Sequence, residues 1–295
     1  MNSRSPSLTH PISSGLDLAE MNHTSAEEWE AWRASELAGR GYILAAHDFW
    51  GAFRPDVLKR LRRQVVQHLK LGGAPALSSL LWIHQYVIRG SVTGVVDHIR
   101  SAAKVGFPRE HVVDVLAIAF LHAPAYQMSV VASAAADALH EYPELAAEPA
   151  LYPDAWKSDI AVLKSGADFD HPHPSPEDIA AIEEWYRRVC GEIPRGVVLL
   201  AREHPGLLKA WRDRFEHAIS GSLPVQMIPF VFVAMEVERA NEEGIRDALR
   251  LARGLGLGKG HALEALTWGL YYGGAGALAA AERAGADILT DWKDP

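Results

Sequence analysis

Two stretches decide how this chain is read: residues 94–119, GVVDHIRSAAKVGFPREHVVDVLAIA, and residues 244–269, GIRDALRLARGLGLGKGHALEALTWG. Side by side, at an offset of 150, they match Gly94 to Gly244, Asp97 to Asp247, Arg100 to Arg250, Ala102 to Ala252, Gly106 to Gly256, His111 to His261 and Leu116 to Leu266. Eight of the other 19 positions set apolar against apolar, and no gap is needed. The same offset pairs Leu58, Lys59 and Arg62 with Leu208, Lys209 and Arg212. Further upstream Gly41 is matched to Gly196 and Trp29 to Trp185, a register slip of five or six residues. Self-similarity of this kind predicts two copies of one unit, over about 25–142 and 181–288, with tails at 1–24 and 289–295. The segment 143–180 carries Pro143, Pro149, Pro153, Pro172, Pro174 and Pro176, too many for a continuous helix or central strand. It reads as a linker, or as a loop that wraps one copy.

Each copy reads as helical. Val95, Val96, Ile99, Ala102 and Ala103 recur at helical spacing and stop near Gly106. Residues 112–119 then give a nearly all-apolar helix of the kind that sits inside a bundle. The next helix is expected after Pro124 in the first copy and after Gly273 and Gly274 in the second. Five to seven helices per copy and no sheet make the fold class all-α.

Composition limits function. The 295 residues are 48% hydrophobic and 22% charged, ordinary for a globular protein with a sizeable core. The net charge of −8 argues against a broad footprint for nucleic acid or anionic membrane. The one basic run, Lys59, Arg60, Arg62 and Arg63, reads as a solvated helix face. No apolar stretch reaches ~18 residues, and no apolar run follows Arg4. The expectation is a cytoplasmic protein with a mobile polar N-terminal tail. Cys190 stands alone, so an intrachain disulfide, a CxxC pair and a cysteine-rich zinc site are all excluded. GLGLGKG, residues 254–260, is not a phosphate loop: Arg253 and Gly260 stand where a glycine and a Ser or Thr are required.

His98, Ala102, Gly106, Phe107, Pro108 and residues 112–121 of the first copy form a helix, a proline turn and an apolar helix. Ala252, Gly256, Leu257, residues 263–272 and then Gly273, Gly274 and Ala275 repeat that pattern in the second. The pattern resembles the core of the carboxymuconolactone decarboxylase family, which includes the AhpD-like alkylhydroperoxidases. The resemblance implies an AhpD-like helical bundle, here as two fused copies, and association into a homo-oligomer. Redox members of the family carry CxxC with a histidine four residues after the second cysteine. Counted back from His98, those places hold Ser91 and Gly94, and in the second copy Asn241 and Gly244. A thiol peroxidase of this type needs two thiols, so that activity is not expected.

The decarboxylase branch lacks the cysteine pair. Its chemistry, as the resemblance implies it, is loss of carbon dioxide from a lactone acid without a cofactor. Such a step needs a desolvated carboxylate, a stabilised enolate and a delivered proton. His98, at the place of the family histidine, is expected to be the catalytic proton-transfer residue. Decarboxylation, lactone opening or isomerisation of a small organic acid or lactone follows as the expected activity. A non-catalytic helical binding or scaffold protein is the alternative, because the counterpart of His98 is Ala248. That asymmetry means one working half beside a scaffolding half, or a composite site drawn from both.

The expected substrate-binding residues are His84, His122, Tyr126 and Glu236. His84 shares a stripe with His98 if the helix is continuous, although Gly90 and Gly94 mark an equally good break. His122 and Tyr126 flank the turn at Ala123 and Pro124. Glu236 and Glu238 lie in the apolar run MIPFVFVAMEVERA, either paired to Arg239 and Arg246 or, if unpaired, with a raised pKa. His111 and His261 read as structural. Asp168, Asp170, His171 and His173 group metal-type ligands, but the flanking prolines splay them, and no metal is expected.

Overall fold

A computed structural model describes residues 16–18, 20, 24–72, 76–145 and 151–293. Most of the expected N-terminal tail, residues 146–150 of the proline-rich segment and the last two residues lie outside the described residues. The first half folds as α1 (Ala26–Arg40), α2 (Ala45–Phe53), α3 (Pro55–Gly72), α4 (Leu77–Arg89), α5 (Val92–Val105), α6 (Arg109–His122) and α7 (Ala125–His140). The second folds as α8 (Pro176–Cys190), α9 (Arg195–Glu203), α10 (Pro205–Ile219), α11 (Met227–Glu238), α12 (Glu242–Gly254) and α13 (Lys259–Thr290). No strand occurs among the described residues, and the protein is all-α. No helix among them is long and apolar enough to cross a membrane.

Helix starts at 26, 45, 55, 77, 92 and 109 recur at 176, 195, 205, 227, 242 and 259. The termini recur because the capping chemistry does. Ser91 and Asn241 each accept from an N–H three residues on, that of Gly94 and Gly244, at the start of α5 and α12. Arg54 and His204 hold the same backbone conformation, φ −148°, ψ 69° and φ −152°, ψ 65°. Gly274, at φ 68° and ψ −158°, divides α13 where Pro124 separates α6 from α7. The expected register slip is absent. Gly41 and Gly191, at φ 83° and 81°, both close the first helix of their half, so cap geometry keeps the offset of 150 where scattered Gly and Trp matches had suggested another. Helix α8 starts inside the segment read as linker, because Ser175 and Asp178 form a reciprocal capping box with Pro176 in the first turn.

The described residues of the proline-rich segment ahead of α8 pack along the bundle. Leu151 and Leu163 are buried. The carbonyls of Val162 and Leu163 accept from Trp185 Nε1 at 2.8 Å and Arg212 Nη2 at 2.7 Å. On the first half, the Tyr152 hydroxyl meets His111 Nδ1 at 2.8 Å, which gives that histidine a structural role. Leu16 is buried with Trp32 and Leu58 in a small separate cluster.

One large core spans both halves. In α4 every residue except Tyr86 and Arg89 is buried, and in α11 every residue except Glu236 and Glu238. Helices with no solvent face are stable only when other helices enclose them. Their own halves supply most of the enclosure, α5, α6 and α7 around α4 and α12 and α13 around α11; between the halves α4 packs on α11, α3 on α13 and α10 on α6. The ion pair of Arg89 with Glu238, Nε to Oε1 2.7 Å, ties α4 to α11.

The basic run on α3 is not wholly solvated. Lys59 and Arg62 are buried, one turn from each other on the face that carries Leu58 and Val65, while Arg60 and Arg63 face water. Lys59 Nζ lies 2.8 Å from Glu28, and Lys209 Nζ lies 2.7 Å from Asp178 at the corresponding place. Stripping one partner from a buried pair costs about 3–5 kcal/mol, so each pair locks the first helix of its half onto the third.

Ala240 takes the place of Gly90 and is held at φ 52°, where a side chain is strained and glycine is not. Ala240→Gly should therefore raise Tm by about 1–3 °C. Thermal unfolding followed by circular dichroism checks this, and an unchanged or lower Tm counts against the shared turn geometry.

Candidate functional site

Two cavities occupy corresponding places. The first, of about 340 Å³, is walled by α2, α3, α4 and α5 through His47, Leu61, Val65, Trp82, Tyr86, Asp97 and His98. The second, of about 670 Å³, is walled by α9, α10, α11 and α12 through Val197, Trp211, Phe215, Phe232, Glu236, Asp247 and Ala248. Each is the other shifted by 150 residues, and each is completed from the opposite half. Tyr272 of α13 closes the first cavity, and its counterpart His122 of α6 closes the second. Arg89 lies over the Tyr272 ring at 4.1 Å, and the equivalent Arg239 donates to the His122 carbonyl at 3.1 Å.

His98 sits in the first cavity, 1% exposed. Its ring stacks on Tyr86 at 5.2 Å and 13° and leans on Trp82 at 4.8 Å and 53°. Tyr86 and Trp82 come from successive turns of α4, and His98 from the facing side of α5. Burial, then the neighbouring Tyr86 hydroxyl, keeps the Tyr272 phenol protonated well above its ordinary range. A side chain at Gly94 would run into the Tyr86 ring, its Cβ 2.3 Å from Cδ1. Gly244 stands in the same relation to Glu236, whose Oε2 would lie 2.2 Å from an added Cβ. Both places where the resembled family carries its second cysteine are thus closed by the residue at 86 or 236.

The other expected site residues do not join His98. Glu236 and His122 line the second cavity. Glu236 has no cation within ion-pair distance among the described residues and instead accepts from Asn241 Nδ2 at 2.7 Å. Burial pushes its pKa up. Glu238, by contrast, has Arg89. His84 lines neither cavity. It lies fully buried in α4 with its ring 6.3 Å from that of His122, and both ring nitrogens lack a hydrogen-bond partner. The break after Gly90, at φ 66°, turns α4 away from α5 and puts His84 on another face from His98. Tyr126 is 76% exposed on the first turn of α7, because the Pro124 turn directs it outward, and it lines neither cavity. Asp168 and His171 meet at 3.0 Å on the surface. Among the described residues no three His, Cys, Asp or Glu side chains converge as metal ligands.

Several lining groups were missed. Tyr86, Trp82 and Tyr272 carried no polar motif, and only the offset from Glu236 and His122 marks Tyr86 and Tyr272. Cys190, the lone cysteine, forms part of the second cavity wall, where burial pushes its thiol up to about 12. Asp247 is pushed up to about 6 by burial and then by Glu243 and Glu236. With the geometry described, comparison with known proteins adds nothing: no protein-family model, curated protein or solved structure matches the chain.

Burial lowers the His122 imidazole to about 4 and the His84 imidazole well below its ordinary 6.5. As pH falls below about 6.5 the unfolded chain takes up these protons before the folded one does, so stability present above 6.5 is lost towards pH 4. For His122 alone the loss is on the order of 3 kcal/mol. His122→Gln should flatten the acid limb of Tm against pH relative to the unchanged chain. Parallel limbs would contradict a neutral, buried His122.

Proposed function

We propose that the chain is a tandem AhpD-like protein of the carboxymuconolactone decarboxylase type, working without a cofactor by proton transfer on a small organic acid or lactone. The observation that carries this reading is His98, a titratable group set in the wall of an aromatic-lined cavity. Recurrence of helix starts, caps and cavity positions at 150 residues supports duplication of one unit. The glycine at 94, held beneath the Tyr86 ring, and the absence of cysteine at 91, 94, 241 and 244 support departure from thiol chemistry.

In this reading the substrate carboxylate enters a cavity whose wall carries His47, Arg62 and His98. Trp82, Val65 and Leu61 exclude water from it, which removes the solvation that holds a carboxylate in place. The C–C bond breaks, carbon dioxide leaves, and the electron pair passes into the conjugated carbonyl as an enolate. The Tyr272 phenol, which burial keeps protonated, donates to that oxygen. Protonated His98 delivers its proton to the carbon and is recharged from water. Lactone opening or isomerisation uses the same groups with the proton moved at another atom.

A binding protein without turnover is the second reading, favoured by the two ring faces that flank His98. The purified chain is to be screened against lactones and aromatic-catabolite acids, following carbon dioxide release and ultraviolet absorbance. Turnover is expected, and His98→Ala should lower it by about 10²–10⁴-fold with the helical signal intact. Full turnover in the variant contradicts the mechanism. Saturable binding without turnover in the unchanged chain selects the second reading.

A further inference from the structure

The second cavity has the dimensions of a small-molecule site but a different chemistry from the first. At three corresponding places the first half has Tyr86, Thr93 and His98, and the second has Glu236, Glu243 and Ala248. An imidazole has been lost and two carboxylates gained, beside an aspartate, Asp97 or Asp247, that both halves keep.

The acids are poorly compensated. Neither Glu236 nor Asp247 has a cation within 4.0 Å among the described residues; Arg239 attracts the first and Arg246 the second only from further off, less than burial opposes ionisation, and the hydrogen-bonding partner in view, Asn241, is neutral and serves Glu236 alone. The one cationic residue that lines the cavity, Arg195, is 92% exposed and 4.0 Å from Glu243. Arg212 stands behind the wall, stacked over Trp185 at 3.8 Å, its charge met by Glu216 at 2.8 Å. The rest of the lining is largely apolar, with Trp211, Phe215, Phe232 and Leu200.

We infer that this second cavity is a binding site for an apolar monocation, an alkyl or aryl amine, whose body lies against Trp211, Phe215 and Phe232 while its ammonium meets Glu236 and Asp247. An ammonium there supplies the close countercharge that the two carboxylates lack, and its hydrocarbon body gains from leaving water. An anion of the same shape would face three carboxylates at short range. The raised pKa of Asp247 agrees with this, since a carboxylate kept from ionising by burial and by acidic neighbours is one that a cation would stabilise. The inference does not rest on His98 or on the reaction proposed for the first cavity.

Isothermal titration of the full chain at pH 7.5 with phenylbutylamine, phenylbutanol and phenylvalerate tests it. The amine is expected to bind at least about tenfold tighter than the alcohol, and the carboxylate more weakly than either. Asp247→Asn and Glu236→Gln, each near-isosteric, should each weaken the amine about tenfold and leave the alcohol unchanged. Leu200→Trp, which fills the apolar end, should weaken both, and His98→Ala neither. Equal binding of amine and alcohol, tighter binding of the carboxylate, no binding of the amine, or indifference to Asp247→Asn and Glu236→Gln together would overturn the inference.

Discussion

Everything else in this structure follows from two helices that have almost no face to show to water. Helix α4 leaves only Tyr86 and Arg89 incompletely buried, and α11 only Glu236 and Glu238. Each fully buried Leu, Ile, Val, Phe or Met contributes about 1.5–3 kcal/mol by leaving water, but only when every side of the helix is covered. Within its own half α4 is packed by α5, α6 and α7, and α11 by α12 and α13, and each central helix covers a remaining side of the other. Around that contact the sixth helical segment of each half reaches across, α6 onto α10 and α13 onto α3.

That exchange also makes the cavities. Tyr86 of α4 and Glu236 of α11 face the two cavities, and there the end of the opposite half's helix, Tyr272 or His122, completes the lining. Residues 86 and 236 have a double part. Each lines its cavity, and each covers the glycine below it, so that a tyrosine in one half and a glutamate in the other occupy space that a side chain at 94 or 244 would need. Two cavities of common geometry have in this way acquired different chemistry, one with imidazole and phenols, the other with carboxylates.

Helical class, the 150-residue relation and the breaks at Pro124 and Gly274 were legible in the sequence, because glycines, prolines and N-caps act locally. The connection's packing along the bundle was legible as one of two options. Burial of Lys59 and Arg62 was not, since nothing local on α3 reveals that Glu28 and Glu36 stand opposite. The site was legible in parts. His98, His122 and Glu236 do line cavities, but linear spacing gave no sign that His98 belongs to one cavity and the other two to its counterpart. Helix crossing decides that, and it also sends His84 into the core and Tyr126 to the surface.

The central claim is that the halves interlock, each incomplete without the other. Expression of residues 16–145 and residues 151–293 as separate chains, singly and together, measures this most directly. The account predicts that neither alone yields a folded monomer, and that the two together form an equimolar complex with one cooperative unfolding transition. Either half behaving alone as a stable, cooperatively unfolding monomer would contradict it.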